Sequence, residues 1–592
     1  MGGPPDISRG HHRGCLELPA AKARRLFRVG RPLARSSSSS SAQGRRRTGE
    51  TRPAASSGVD SRLLFVGFLV IALLVYWPAL GGSFISDDEH YVQRNVFVHD
   101  LTPENVIAIL DPTSVLAVIV ENYAPVHILL HALEWQVFGP NVTGYHVVNV
   151  FLHVVASLLL VSLFRRTGIS ATAAVIGGAF FLVHPGNVEA VAWINQLKTS
   201  SAMVLCLAGL LMHPRRPGWG ALLFALALMA KPTAAVALFF AVALGWARSK
   251  DEIDWRWSWL AGWAVLLALF AVAEFFAFGQ TAGQAPTLYA DFGDRIRGIL
   301  AVAMRYLVMA STSYGLSAFH EPDAAGWLDP WWLASLPILA AVGWRTFAML
   351  RNRRPEAAWW IFALVSFAPV CGVIPLPFPL ADRYLYFILP GLIGGVALAG
   401  HEWIASRKLA NPDAFRRGLR IAAALLLVVF AARSFDRATI WRSASLVMAD
   451  AVKHYPEGVA AKTQDATRAA QAGDADTAVE LLERAHRRGY NRLDHLLMAG
   501  YAAIQSDPAF VKLKQRWARE WIERLSRNDS PSQHELQLIA QAQLVLDDLD
   551  SARDTILRAI ERGGPITANL EVDLAEVERA IRFSRLRESR KP

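Results

Sequence analysis

The sequence predicts an all-α, polytopic membrane protein: a bundle of about eleven apolar spans over 62–436, with a basic tail over 1–61 before it and a helical repeat domain over 437–592 after it. Three observations carry this. Hydrophobic residues make up 53% of the 592 and charged residues only 19%, too apolar a balance for a soluble enzyme. Apolar runs near bilayer length recur from 63 to 435, with basic residues in alternate loops. Beyond Arg437 the chain turns polar and alanine-rich, and no further span follows.

The tail carries Lys22, Arg24, Arg25, Arg28, Arg31, Arg45, Arg46 and Arg47, and a serine run at 36–41 that cannot bury a core, so it reads as a disordered arm. Much of the formal net charge of +11 sits there, ahead of a span. It therefore reads as a topogenic signal, and no nucleic-acid partner is expected. The first apolar run begins only at Leu63 and is long enough to stay as an anchor, so no cleaved signal peptide is expected. Cys15, Cys206 and Cys371 are scattered through the tail and two spans, and form neither a disulfide framework nor a metal-ligand set.

Spans read at 63–80, 143–164, 168–184, 199–213, 217–230, 233–248, 257–279, 331–350, 357–376, 384–400 and 418–435. Basic residues at 165–166, 215–216, 248–250, 351–354 and 407–420 place alternate loops and the N-terminus in the cytoplasm and the repeat domain outside. Two more helical stretches, 126–138 and 296–319, would break the alternation if they crossed, and are assigned to the outer interface.

The outer face then collects 82–125, 185–198, Lys231, 280–325, 375–383 and the residues beyond about 437. Phe84-Ile85-Ser86-Asp87-Asp88-Glu89-His90-Tyr91 directly follows the first span. Three adjacent carboxylates are costly in hydrocarbon, so they must lie in water or a wet cavity, which marks a site. His184, Asn187, Glu189, Lys198, Lys231, His320, Glu321, Asp382 and Arg383 face the same compartment, a mixture of acids and cations that suits a phosphate-bearing donor.

Moving a group from a phosphate-bearing donor to a hydroxyl needs a base for the hydroxyl proton and cations for the departing phosphate. Asp88 is read as the base, Arg383 as a bidentate phosphate clamp, and Lys231 and Lys198 as supporting cations. Snorkelling beside Tyr384 and Tyr386 is the competing reading of Arg383. Lys231-Pro232 has almost no polar loop around it, so an unpartnered lysine there would be costly and a site role is favoured. At His184-Pro185 a helix ends and another begins by Glu189; a capped re-entrant turn and ligand contact both stay open. His127, His131, His146 and His153 lie at helical spacings, yet no carboxylate or cysteine set completes a metal pattern. No metal and no cofactor is assigned, with a divalent ion at the acidic pair left open.

These residues resemble the TMTC-like, bacterial tetratricopeptide-containing branch of the GT-C glycosyltransferases, over about 63–440 and the tail. The carriers are Phe84 to Glu89 with Tyr91 and Asn95; Phe138-Gly139, Gly144-Tyr145-His146, Asn149 and His153; His184-Pro185 with Glu189, Ala192 and Trp193; Lys231-Pro232; and Asp382-Arg383-Tyr384. The resemblance implies a GT-C-type bundle, a polyprenyl-phosphate-linked sugar donor and a catalytic acid in the first outer loop, with Asp88 preferred to Asp87 and Glu89 beside them. His184, Glu189, Asp382 and Tyr123 would contact substrate. Two departures stand out: Ala124 in Tyr123-Ala124-Pro125-Val126, where the family has Arg or His, and Asn195-Gln196-Leu197-Lys198-Thr199, which lacks the family's acidic residue. Either could alter the donor or abolish activity.

In the tail domain Ala466, Ala478 and Ala485 share their spacing of twelve and seven with Ala540, Ala552 and Ala559, seventy-four residues on. That is the small-residue framework of a tetratricopeptide repeat, with turns at Gly473-Asp474 and Asp547-Asp548 and room for a degenerate pair at 493–525.

The expected function is a membrane glycosyltransferase acting on the outer face, in a bacterial inner membrane with the repeat domain in the periplasm. Its partners would be membrane lipids, the lipid-linked donor and an acceptor, either protein Ser/Thr or an envelope glycan, held by the repeats. The alternative is a non-catalytic membrane-anchored scaffold or a transporter. A transporter would bury charge at mid-span, whereas here the acids crowd the outer span edges.

Overall fold

The computed structural model describes residues 60–120, 122–248, 255–279, 291–323, 325–373, 380–408 and 411–588. The tail at 1–59, with Cys15, its basic residues and its serine run, lies outside the described residues, as do 249–250 and the outer-loop parts 280–290, 324 and 374–379.

Every regular element among the described residues is helical. Seven helices are long and apolar enough to cross a bilayer: Ser61–Gly81, Val142–Arg166, Ile194–Met212, Trp257–Ala277, Pro330–Arg351, Asp382–Ser406 and Pro412–Ile440. Ala171–Leu182 and Pro185–Ala192, bent by 52°, would make an eighth as one broken span, and Pro217–Ala230, Pro232–Ala247 and Glu356–Val370 are apolar but shorter. The segments read from the sequence fall on these helices, and the chain is a multi-pass helical membrane protein. Phe292–Thr312 carries Arg295, Arg297 and Arg305 and is not apolar enough to join them.

Burial separates the helices by role. Trp257–Ala277 and Pro412–Ile440 are apolar around much of their circumference and little buried, exposing Val265, Leu269, Leu425 and Val428, as lipid-facing helices do. Ile194–Met212 is the innermost, and it carries Lys198, Thr199, Ser200 and Ser201.

Glycines seat the helix that bears Arg383. On Asp382–Ser406, Gly391, Gly394 and Gly395 face Ala363, Trp359 and Trp360 so closely that a Cβ on Gly391 would stand 2.4 Å from the Ala363 backbone nitrogen. Gly391→Ala should therefore cost about 1–3 kcal/mol, read as a lowered thermal midpoint in detergent.

The C-terminal region has its own core, with Leu482, Tyr501, Phe510, Trp517 and Ile556 at its centre. Val459–Gln471 with Ala475–Arg487, and Gln533–Val545 with Leu549–Arg562, are helix hairpins. Their turns use a left-handed residue each, Gly473 (φ +79°) and Asp547 (φ +60°). The six alanines of the repeated spacing are all buried. Between the hairpins lie two short 3₁₀ turns and the single long helix Pro508–Leu525, where a degenerate helix pair was expected; Asp507 caps that helix afresh with proline at its first position. The boundary read at 436 falls inside Pro412–Ile440.

Candidate active site

The acidic loop is pinned before it reaches its carboxylates. Ser83 N donates to the Arg442 carbonyl (3.0 Å), and Trp193 Nε1 donates to the Ile85 carbonyl (3.3 Å). Ser86 then adopts a left-handed conformation, φ +52°, uncommon for a residue with a side chain. The chain turns there, and the three acids leave in different directions.

Asp88 is fully buried, and its two oxygens accept backbone N–H groups, Ile85 (2.9 Å) at Oδ2 and Asn195 (2.7 Å) at Oδ1. Burial pushes its carboxyl up to about 8, against the pull of those two donors. Asp87 is half-buried: Oδ2 accepts Asn195 Nδ2 (3.2 Å) and Oδ1 accepts Ser86 Oγ (3.2 Å). Its charge acts on both Lys198 and Arg383. Glu89 turns outward to an ion pair with Arg94 (2.6 Å). The geometry thus gives Asp88, whose charge also acts on Lys198, the part of an anchor, and leaves Asp87 the more open of the two.

The raised Asp88 carboxyl has a pH signature. Folding favours its protonated form, so this contribution to stability is complete below its ordinary value near 3.8 and is lost as pH rises through about 8. This component of the thermal midpoint should fall between about pH 4 and about pH 8 in the wild type and level off above that. Asp88→Asn should remove this component of the slope and, by turning an amide toward a backbone N–H, cost about 1–3 kcal/mol at low pH, a difference that narrows as pH rises through about 8.

On the cationic side, the break at His184-Pro185 delivers Glu189 beneath Arg383. Glu189 Oε2 accepts Arg383 N (2.7 Å) and Oε1 accepts Arg383 Nη1 (2.5 Å), and the guanidinium lies 5.5 Å from the Trp193 ring and 5.0 Å from the Tyr384 ring. Lys231, at the break between two short apolar helices, donates to Thr199 Oγ1 (2.7 Å), which donates to Gln196 Oε1 (2.7 Å). Lys198 Nζ sits 4.7 Å over the Tyr91 ring. Snorkelling does not describe this arrangement, because both Arg383 and Lys231 are turned onto polar partners inside the protein.

The segment 193–199, which itself carries Lys198, thus stands between the acid loop and two further cations. Asp87, Lys231, Glu189 and Arg383 gather around it, while four other expected site residues are spent elsewhere. His184 accepts Gly186 N at Nδ1 (3.0 Å) and its Nε2 meets the Ala310 carbonyl (3.0 Å), so of its two open readings the geometry is that of the capped turn. Asp382 points away from Arg383, into His320 Nε2 (2.7 Å) and Arg437 Nη2 (2.9 Å). Tyr123 donates to the Leu110 carbonyl (2.8 Å) and packs near Phe270. Glu89 is paired with Arg94 as above.

Sequence reasoning took Asn195 only for a departure from a motif. It is a hub, serving Asp88 with its backbone N–H and Asp87 with its amide. Also buried nearby are His127, which packs against Tyr91 and His131, and His131, which meets Glu134 Oε2 (2.8 Å). Among the described residues, no three His, Cys, Asp or Glu side chains stand where they could hold a metal ion.

Fold and site together define a class: a multi-pass helical membrane protein with a carboxylate and several cations facing one another at the ends of its spans. In sequence the chain is similar to the TMTC protein O-mannosyl-transferases. It is 29% identical over 203 residues to protein O-mannosyl-transferase Tmtc1 of Drosophila melanogaster, a match covering 32% of this chain and 23% of that one. To protein O-mannosyl-transferase F38B6.6 of Caenorhabditis elegans it is 27% identical over 168 residues, 27% and 23% of the two chains. To Tmtc2 of Drosophila melanogaster it is 30% identical over 172 residues, 28% and 18%. The chain thus matches about a quarter or less of the length of these curated relatives. Among solved structures, ArnT from Cupriavidus metallidurans bound to undecaprenyl phosphate aligns over 85% of this chain and 82% of that one, at 15% identity and a TM-score of 0.35. No family model matches the chain.

Proposed function

We propose that the protein is a membrane glycosyltransferase that moves a sugar from a polyprenyl-phosphate-linked donor to a hydroxyl acceptor on the outer face of the membrane. The observation that carries this reading is the convergence of a half-open carboxylate, Asp87, with Arg383 and Lys231 on 193–199, the segment that carries Lys198. The similarity to protein O-mannosyl-transferases supports it.

In this reading Asp87 takes the proton of the acceptor hydroxyl as its oxygen bonds to the anomeric carbon. The bond from that carbon to the phosphate oxygen breaks, and its electron pair goes to the phosphate. Arg383, held by Glu189 and the Trp193 and Tyr384 rings, offers a planar fork to the developing charge. Lys231 and Lys198 add point charges at the boundary where a lipid phosphate would lie. Asp88 fixes the loop so that Asp87 needs no reorganisation.

The C-terminal hairpins are read as tetratricopeptide-like repeats that hold a protein or glycan acceptor near the site, raising its local concentration. The alternating basic loops support a cytoplasmic N-terminus and, in a bacterial inner membrane, periplasmic repeats. The test is transfer by purified protein from a panel of polyprenyl-phosphate sugars to Ser/Thr peptides. Turnover on at least one donor is expected. No turnover on any, with folded protein, would leave a repeat-bearing scaffold.

A further inference from the structure

The junction between the last span and the C-terminal helices touches both halves of the site. Pro412–Ile440 is little buried along its apolar length, yet its last turns are locked in: Ser434 is fully buried, Arg437 is 7% exposed and the following Trp441 3%. Positions 434, 437 and 441 share one helix face. On that face Ser434 Oγ donates to the Val183 carbonyl (2.8 Å), at the break that delivers Glu189. Arg437 donates to Asp382 Oδ2 (2.9 Å), on the residue before Arg383, and its other side faces Asp450 (4.0 Å) of Ala444–His454. Trp441 stacks on Trp193, ring centres 5.5 Å apart and planes 20° apart, and the Arg442 carbonyl accepts Ser83 N (3.0 Å) at the root of the acid loop.

A lipid-facing helix needs no buried arginine at its end, and desolvating a guanidinium is costly unless it is paired. Here the pairing reaches the Arg383 helix, while the Trp441 ring, four residues on, meets Trp193 and the Arg442 carbonyl, five residues on, meets the acid loop. We infer that 434–442 is a clasp that sets the distance between the base and the phosphate clamp, with Arg437 positioning Arg383 through Asp382, and Trp441 positioning the acid loop through Trp193. Because Arg437 also faces Asp450, the C-terminal helices act on the site through the same clasp. This rests on the reading of Asp87 and Arg383 given above.

The two ends of the clasp separate in measurement. Full-length protein in nanodiscs is assayed for binding of undecaprenyl phosphate and for turnover. Arg437→Met should weaken phosphate-lipid binding about tenfold. Trp441→Ala should lower kcat about tenfold or more and weaken lipid binding clearly less than Arg437→Met does, because Trp193 steadies the acid loop directly and meets Arg383 only with its ring face. Arg437→Lys and Trp441→Phe should recover most of each loss, which a general loss of folding would not allow. A third readout needs no activity: a cysteine placed at the exposed Ser86 should react faster with a maleimide in the Trp441→Ala background. Unchanged labelling, or variants that shift binding and kcat together without rescue, would overturn the clasp. A wild type that neither binds the lipid nor transfers sugar would sink the glycosyltransferase reading, and the labelling would still decide the clasp. If Arg437→Met does not fold, Trp441→Ala with its labelling and kcat readouts decides the proposal.

Discussion

Asp87→Asn should abolish transfer, with a loss of about 10²–10⁴ in kcat, while the protein folds and binds the lipid phosphate as before. The amide is isosteric, so it can keep a contact with Asn195 and with Ser86 Oγ, and Asp87 is only half-buried, so little stability is at stake. What disappears is the ability to take a proton. Asp88→Asn makes the contrasting case: it should lower stability first and activity as a consequence, because its oxygens hold Ile85 N and Asn195 N. Measuring kcat and thermal midpoint for both variants separates the roles. Were Asp88→Asn folded, stable and inactive while Asp87→Asn kept wild-type kcat, the roles of the two neighbours would be exchanged.

That pair also shows where sequence reasoning stops. The acidic run was legible as a site because three charges at a span edge need a reason, but which carboxylate stays the more open was not. That choice depends on Ser86 at φ +52° and on a backbone N–H from Asn195, more than a hundred residues away. Asp382 and Arg383 repeat the lesson. Adjacent on one helix, they point to different partners, Asp382 to Arg437 and Arg383 to Glu189, so proximity in sequence carried only one of them into the site. Lys231 was legible from the cost of a lysine between two apolar stretches, and its bond to Thr199 is the partner that cost demands. His184 looked chemical because histidine so often is, yet both its ring nitrogens serve backbone groups. The apolar helices and the alanine spacing were the most legible parts, since hydropathy and small-residue period are properties of single elements rather than of contacts between distant ones.

Arg383→Ala should be the most damaging change on the cationic side, and for two reasons that must be separated. It removes the only fork-shaped donor read at the phosphate position, a loss of about 10²–10³ in kcat by analogy with other charge-stabilising donors. It also leaves Glu189, 1% exposed, without its guanidinium, and an unpaired buried carboxylate costs about 3–5 kcal/mol. A fall in activity alone therefore proves nothing about phosphate. Glu189→Gln supplies the control, since it leaves the largely buried guanidinium without its carboxylate and should also cost stability, whereas in the double variant Glu189→Gln/Arg383→Gln no buried charge is left uncompensated. If the arginine serves only to neutralise Glu189, the double variant regains both thermal midpoint and kcat. The expected result is that it regains the midpoint and not the rate, with undecaprenyl phosphate binding weakened at least tenfold. Arg383→Lys sharpens the point: charge is kept and the planar fork is lost, so binding should fall less than in the alanine variant and remain clearly below wild type.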